Sequence, residues 1–224
     1  RNKAYVLVVV VVVVCGGGTA GWMAATALHK QLGPSLDIVL VESDEIGGVG
    51  VGEATIPPIR IFHKVLGINE QDFMKACSAT FKLGIAFDNW SEDGSSYLHS
   101  FGKTGQECWL GDFHHFWLRG LKEGYKPEFG EYCLEWVAAK QGKFATSEQS
   151  PLNYAYHFDA GLYAQYLRKL CEGSGGPNSG VKRIEGKIKS VAQHHDTGTV
   201  SYNHLRAHQT VLDPVYRPLL EKKK

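Results

Sequence analysis

The residues best placed to do chemistry lie near the start of the chain, in Gly16-Gly17-Gly18-Thr19-Ala20-Gly21, whose glycines follow the spacing G-x-G-x-x-G. That spacing suits phosphate recognition. The first glycine permits a tight turn, the second lets the backbone approach a pyrophosphate, and the third lets a helix pack on a strand. A nucleotide site of this kind wants an acid about 20 residues further on, and Glu42 stands there, able to accept hydrogen bonds from ribose hydroxyls. The turn alone does not choose between NAD and FAD.

Other reactive side chains form no comparable pattern. The 10 histidines include the doublets His114-His115 and His194-His195, each near an acid, Asp112 or Asp196. Adjacent side chains diverge on a helix or a strand, so no metal site is expected from them. The 5 cysteines, Cys15, Cys77, Cys108, Cys133 and Cys171, are scattered and odd in number, with no CxxC pair. This points to a reducing, cytoplasmic setting without a disulfide framework. Lys82, beside Phe81, reads on periodicity alone as an ordinary solvated lysine.

Several elements must position these groups. An apolar run from Ala4 to Cys15 follows Arg1-Asn2-Lys3. It is too short to span a bilayer, and its valines and abrupt stop at glycine favour a buried strand over a signal peptide. A helix-like stretch, Trp22 to Leu28, comes next, and then a second strand, Asp37 to Val41, ending at Glu42. Strand, turn, helix, strand and acid together describe a βαβ dinucleotide unit. Residues 43–58 are too glycine-rich for an ordinary helix and read as a loop. Ile59 to Leu66 and Glu70 to Phe87 read as helices, the second with apolar Phe73, Met74, Cys77, Phe81 and Ile85 at three- and four-residue spacing. A further helix is expected over Ala160 to Glu172, then a loop over Gly173 to Gly180 and strands near Val181 to Gln193.

Composition narrows the class. With 224 residues, 43% hydrophobic and 21% charged, the chain is an ordinary globular mixture of about one to one and a half domains. Its 24 Lys+Arg against 23 Asp+Glu provide no basic excess for a nucleic-acid partner, and none is expected, nor a membrane one.

Longer strings carry a family resemblance. Gly16 to Ala25, Val41-Glu42-Ser43, Gly50-Val51-Gly52-Glu53-Ala54-Thr55-Ile56-Pro57, Phe81-Lys82-Leu83-Gly84-Ile85, Asn89-Trp90 and Tyr154 to Ala160 resemble, in order and rough spacing, the flavin-dependent tryptophan halogenases. The resemblance implies an α/β fold, a partial FAD-binding Rossmann domain of the glutathione-reductase type. It also implies reduced FAD delivered by a separate flavin reductase, which with oxygen forms a flavin hydroperoxide. Chloride or bromide attacks this species to give hypohalous acid, which then travels to a lysine beside tryptophan or another indole. Lys82 matches the family's catalytic lysine. Gly17, Thr19, Ala20, Ser43, Ile46 and Ala54 match FAD-contacting positions, Ile188 matches a strand residue near the adenine, and residues 50–57 match the strap joining the two sites. His99-Ser100-Phe101-Gly102 resembles the family's His-Pro-Phe-Gly, whose His and Phe sandwich the indole, although Ser100 replaces the proline. The family's Trp-x-Trp-x-Ile-Pro string is absent, and its catalytic glutamate belongs to a region beyond this chain. On this reading the chain is the first two-fifths or so of a halogenase, and missing strands should leave sheet edges uncovered. Two alternatives are a flavin monooxygenase or oxidase sharing the same module, and a non-catalytic remnant.

The resemblance stops at Val200. Residues 200–224 are similar instead to a conceptual translation of a sequencing-library adapter running into poly(A), which places the expected end of the natural protein near Gly198 and leaves a non-native tail. His204 and His208 within it stand at i, i+4, a spacing that could hold zinc on a helix.

Overall fold

β-Branched side chains suit a pleated surface, and the valine run forms the first strand, β1 (Val10–Cys15). A computed structural model describes residues 10–46, 54–90, 92–146, 152–172, 180–193 and 200–205. The chain divides into two compact units, Arg1–Gly50 with Tyr163–Lys224, and Val51–Leu162.

In the first unit β1 is followed by α1 (Thr19–Leu32) and β2 (Leu36–Glu42), and β2 is followed in the sheet by β7 (Val181–Glu185). The strands run parallel in the order β1-β2-β7, with Val12 opposite Ile38 and Leu40 opposite Arg183. The expected βαβ unit is therefore present. One detail differs from expectation: β1 is not the buried strand. It lies at the edge of the described sheet with Val10 51% exposed, whereas Ile38, Val39, Leu40 and Val41 of β2 are buried because strands flank β2 on both sides. An exposed apolar edge is what a sheet lacking a neighbouring strand leaves.

Helix α1 buries Trp22, Ala25 and Thr26. It meets the C-terminal part of α6 (Ala160–Glu172), which buries Tyr163, Leu167 and Cys171 at helical spacing. The Thr26 hydroxyl donates to the Trp22 carbonyl at 2.7 Å and lies 3.3 Å from the Cys171 sulfur, so a polar residue in this core is satisfied. Strand β8 (Lys187–Gln193) pairs antiparallel with β9 (Val200–Leu205).

The second unit opens with α2 (Pro58–Leu66), burying Ile59, His63 and Leu66 and stopped by Gly67 at φ +68°. In α3 (Glu70–Ala76) the cap is Asn69, whose side chain accepts from the Asp72 N–H at 3.1 Å. The long helix expected over Glu70 to Phe87 does not form. α3 ends at Ala76, Ser78 takes a left-handed φ of +51°, and β3 (Thr80–Lys82) and β4 (Gly84–Phe87) follow. β3 pairs with β6 (Ala155–His157) and β4 with β5 (Tyr97–Ser100), both antiparallel. Two further helices, α4 (Phe113–Lys122) and α5 (Leu134–Lys140), lie in this unit. Its core is aromatic, with Phe73 edge-on to His63, Tyr156 and Phe158.

Candidate functional site

The glycine turn occupies the C-terminal end of the parallel strands. Gly16 has φ +115°, a left-handed conformation that favours glycine, and its N–H donates to the Val41 carbonyl at 2.8 Å. A Cβ on Gly21 would lie 1.9 Å from the Gly16 carbonyl oxygen, and one on Gly17 would lie 1.4 Å from a Glu42 carboxylate oxygen. Gly18 carries neither constraint, since a Cβ there would meet nothing within 4 Å and its φ of −70° is open to any residue, whereas Gly16, equally unobstructed, needs its left-handed φ. Gly18 is also the N-cap of α1 and offers no capping side chain. This leaves an exposed backbone approach at the positive end of a helix, with Thr19 and Ala20 in its first turn. Such an arrangement fits a phosphate group.

Glu42 stands at the end of β2 as expected, but its carboxylate is already engaged. One oxygen accepts from the Trp22 indole N–H at 3.2 Å and the other from Arg183 Nε. Arg183 also donates to Asp44 and Glu185, each at 2.6 Å. Although burial opposes its charge, the hydrogen bonds it donates to Glu42 and Asp44 more than offset this and hold the guanidinium firmly protonated. Each carboxylate oxygen has a second lone pair, so Glu42 keeps capacity for a hydroxyl donor. Arg183 was not foreseen from sequence. The signal was the parallel register that sets Leu40 and Glu42 opposite Arg183 and Glu185. Ser43 to Ile46 form a turn in which the Ile46 N–H reaches the Ser43 carbonyl at 3.1 Å, leaving Ile46 56% exposed. The Gly186 N–H donates to the Glu42 carbonyl at 2.8 Å, which brings the start of β8, and with it half-buried Ile188, to this end of the sheet. Gly16 to Gly21, Glu42, Ser43, Ile46 and Ile188 thus belong to one unit.

Ala54 belongs to the other. It forms an isolated bridge with His157, next to Thr55, whose N–H and hydroxyl both donate to the Tyr156 carbonyl, at 3.1 and 2.9 Å. The rest of the glycine-rich loop, residues 47–53, lies outside the described residues.

Lys82 is not solvated. Its alternating position on β3 turns it inward to 7% exposure, while neighbouring Phe81, 37% exposed, stacks on Phe144 at 3.8 Å. The ammonium donates to the Thr55 carbonyl at 2.9 Å and lies 5.5 Å from the centre of the Phe101 ring. Desolvation lowers its pKa below the ordinary lysine value. His157, pulled down first by burial and then by the charge of Lys82, stays biased toward neutral.

Phe101 follows β5 directly and its N–H donates to the Leu83 carbonyl at 2.8 Å, prolonging the β4–β5 ladder beside Lys82. His99, opposite Ile85, is exposed. Phe101 and Lys82 are therefore brought together, whereas no contact of His99 with Lys82 is found among the described residues. Behind them sits a group the sequence did not reveal. Glu135, 6% exposed, accepts the Asn153 N–H at 2.8 Å, and a Cβ on Gly102 would lie 1.7 Å from its carboxylate. A side chain at position 102 would have to displace this buried carboxylate.

The expectation that the histidine doublet diverges is overturned for the first pair. The ligating atoms of Asp112, His114 and His115 all lie within 4.8 Å of one another. Asp112 is an extended N-cap and the histidines belong to the first helical turn, so the three residues span two backbone conformations. The two histidines share α4, and it is their exposed side chains that bring the rings to 3.8 Å between centroids. His194-His195 and Asp196 lie outside the described residues.

A tryptophan halogenase family model matches residues 11–212. Among curated relatives, the tryptophan 6-halogenase SttH of Streptomyces toxytricini is 34% identical over 227 residues, covering 90% of this chain and 41% of its own length. Among solved structures, Xcc4156, a flavin-dependent halogenase from Xanthomonas campestris, aligns at 54% identity and a TM-score of 0.77, over 86% of this chain and 38% of that one. BrvH, a flavin-dependent halogenase from Brevundimonas sp. BAL3, aligns at 40% identity and a TM-score of 0.72, over 87% and 39%. The chain thus spans about two-fifths of the length of the relatives it matches.

Proposed function

The chain belongs to the tryptophan halogenase family, and from that premise we propose that it takes part in flavin-dependent halogenation of tryptophan or another indole, with Lys82 directing the oxidant. FAD fits the glycine turn. Gly18 leaves room for a pyrophosphate at the start of α1, Glu42 offers lone pairs to a ribose, and Ser43, Ile46 and Ile188 share that end of the sheet. Ala54 is assigned to the same cofactor by the family match alone. Bound reduced FAD, replenished by a separate flavin reductase, supplies hypohalous acid from oxygen and chloride or bromide.

The observation that carries the reading is Lys82 itself, a buried amine that donates to the Thr55 carbonyl and faces an aromatic ring. An ammonium has three N–H donors, and among the described residues only one is spent, on Thr55. A remaining N–H can hydrogen-bond the oxygen of hypohalous acid and polarise its bond to halogen. A ring carbon of the indole then bonds to the halogen, the oxygen–halogen bond breaks, the ring proton is lost, and the oxygen departs as water. The aromatic face of Phe101 lies where an indole could stack, with His99 as a second candidate wall.

The test supplies the protein with reduced FAD, oxygen, bromide and an indole and follows brominated product by mass spectrometry. Product should form and fall about 100-fold or more in K82A. Undiminished product in K82A would remove Lys82 from catalysis, and absence of flavin binding by the unaltered protein would remove the cofactor assignment.

A further inference from the structure

We propose that Asp112, His114 and His115, at the start of α4, form a surface site for a divalent transition-metal ion of the zinc, nickel or copper kind. The site is independent of the halogenation reading and uses none of its residues. Its three ligating atoms lie within 4.8 Å of one another, and the two imidazole rings are 3.8 Å apart between centroids. Ligands around a tetrahedral zinc stand about 3.4 Å apart at ordinary bond lengths. Closing the difference takes only side-chain torsions, which are unhindered because all three residues are exposed.

The backbone that carries them is fixed before any metal arrives. Cys108 and Gly111 exchange two backbone hydrogen bonds, at 3.1 and 3.0 Å, closing a tight turn just before Asp112. The Asp112 carbonyl then accepts the His115 N–H at 3.1 Å, while its carboxylate makes no capping bond. An N-cap aspartate ordinarily spends its side chain on the first turn of the helix. Here the carboxylate is held beside two imidazoles without that commitment.

Two imidazoles and one carboxylate select by chemistry. Magnesium and calcium prefer all-oxygen sites, whereas imidazole suits zinc, nickel and copper. The positive end of the α4 dipole opposes a cation, and the Asp112 charge offsets it. Water completes the coordination, as befits an open site rather than a closed structural one.

The experiment titrates Zn2+ into the protein by calorimetry and records the electron paramagnetic resonance of one equivalent of Cu2+, for the unaltered chain, D112N and the double variant H114A/H115A. Circular dichroism confirms that the exposed substitutions leave the fold intact. The expected result is that Zn2+ affinity drops at least about tenfold in H114A/H115A, that the drop in D112N is smaller, and that the nitrogen couplings of two imidazoles on copper disappear in the double variant. Zn2+ affinity and copper couplings unchanged in H114A/H115A, as they would be if other histidines or the thiols took the metal, would overturn the site.

Discussion

The glycine turn of the first unit and the lysine of the second are positioned in opposite ways. Gly16, Gly17 and Gly21 are fixed by a backbone angle or by what a Cβ would strike, so that end of the fold is specified by side chains that are missing. Lys82 is fixed by what its side chain reaches: a carbonyl on Thr55 and a ring on Phe101, both distant in sequence. The first arrangement is local and stiff. The second depends on strand pairings that close over many residues, and it places a charge where water is scarce.

The largest effect should come from breaking the stiff side. In G21A the new methyl meets the Gly16 carbonyl, which is backbone and cannot rotate away. Unfolding in denaturant should show a loss of about 3 kcal/mol, with flavin binding lost alongside. A loss under about 0.5 kcal/mol would mean that helix and turn separate easily, and the contrast with the second unit would fail.

The second unit should be more sensitive to acid than the first, where burial lowers the pKa of His29 less than that of His63. His63 is 4% exposed against Phe73 and Tyr156, and burial lowers its pKa to about 4 from 6.5, with Glu70 opposing the shift. Between those values the unfolded chain binds the proton and the folded one does not, so stability rises with pH. The contribution is complete above pH 6.5 and is lost as pH falls to about 4, a span worth about 3 kcal/mol. Stability followed over that range should lose most of its slope in H63F. A slope that persists would assign the acid sensitivity to other groups.

What could be read in the sequence follows the same division. The βαβ unit and its glycines were legible because each constraint acts between residues close in the chain or at the end of a neighbouring strand. Helix α6 was legible for a similar reason, its apolar residues falling on one face. The segment after Glu70 was not. Phe73, Cys77, Phe81 and Ile85 keep helical spacing, but Ser78 turns left-handed and β3 finds its partner in β6, with Lys82 opposite Ala155. Only that non-local pairing turns Lys82 inward, and no window on the sequence contains both strands. The valine run misled in a different sense. Its residue type gave the strand, but its burial depends on neighbours that residue type does not encode.

If Lys82 serves the chemistry rather than the fold, replacing it should help stability. K82M keeps the length of the side chain and removes a desolvated ammonium that has one hydrogen bond among the described residues. The variant should be more stable by about 1 kcal/mol at neutral pH while losing halogenation. Because the folded pKa lies below the ordinary lysine value, the unaltered chain binds fewer protons than its unfolded form at alkaline pH. Its stability should therefore climb toward that of K82M as pH rises through this window, with little gain below it. A destabilised K82M would make the lysine a structural anchor.

The smallest change in stability should occur inside the motif itself, at Gly18. Its φ of −70° and ψ of −178° are open to any residue, and a Cβ would meet nothing within 4 Å. Alanine is a poorer N-cap than glycine, but it restricts the unfolded chain, and the two effects nearly cancel. G18A should therefore unfold within about 0.5 kcal/mol of the unaltered protein. Its methyl would nonetheless stand where a pyrophosphate must approach, and loss of one such contact, about 1.4 kcal/mol, is a tenfold fall in flavin affinity. A binding titration of G18A against G21A thus separates the two uses of glycine in one turn: Gly21 lets the protein close on itself, and Gly18 leaves a place for something else. Equal flavin affinity in G18A and the unaltered chain would show that the open face of the turn is not where the cofactor sits.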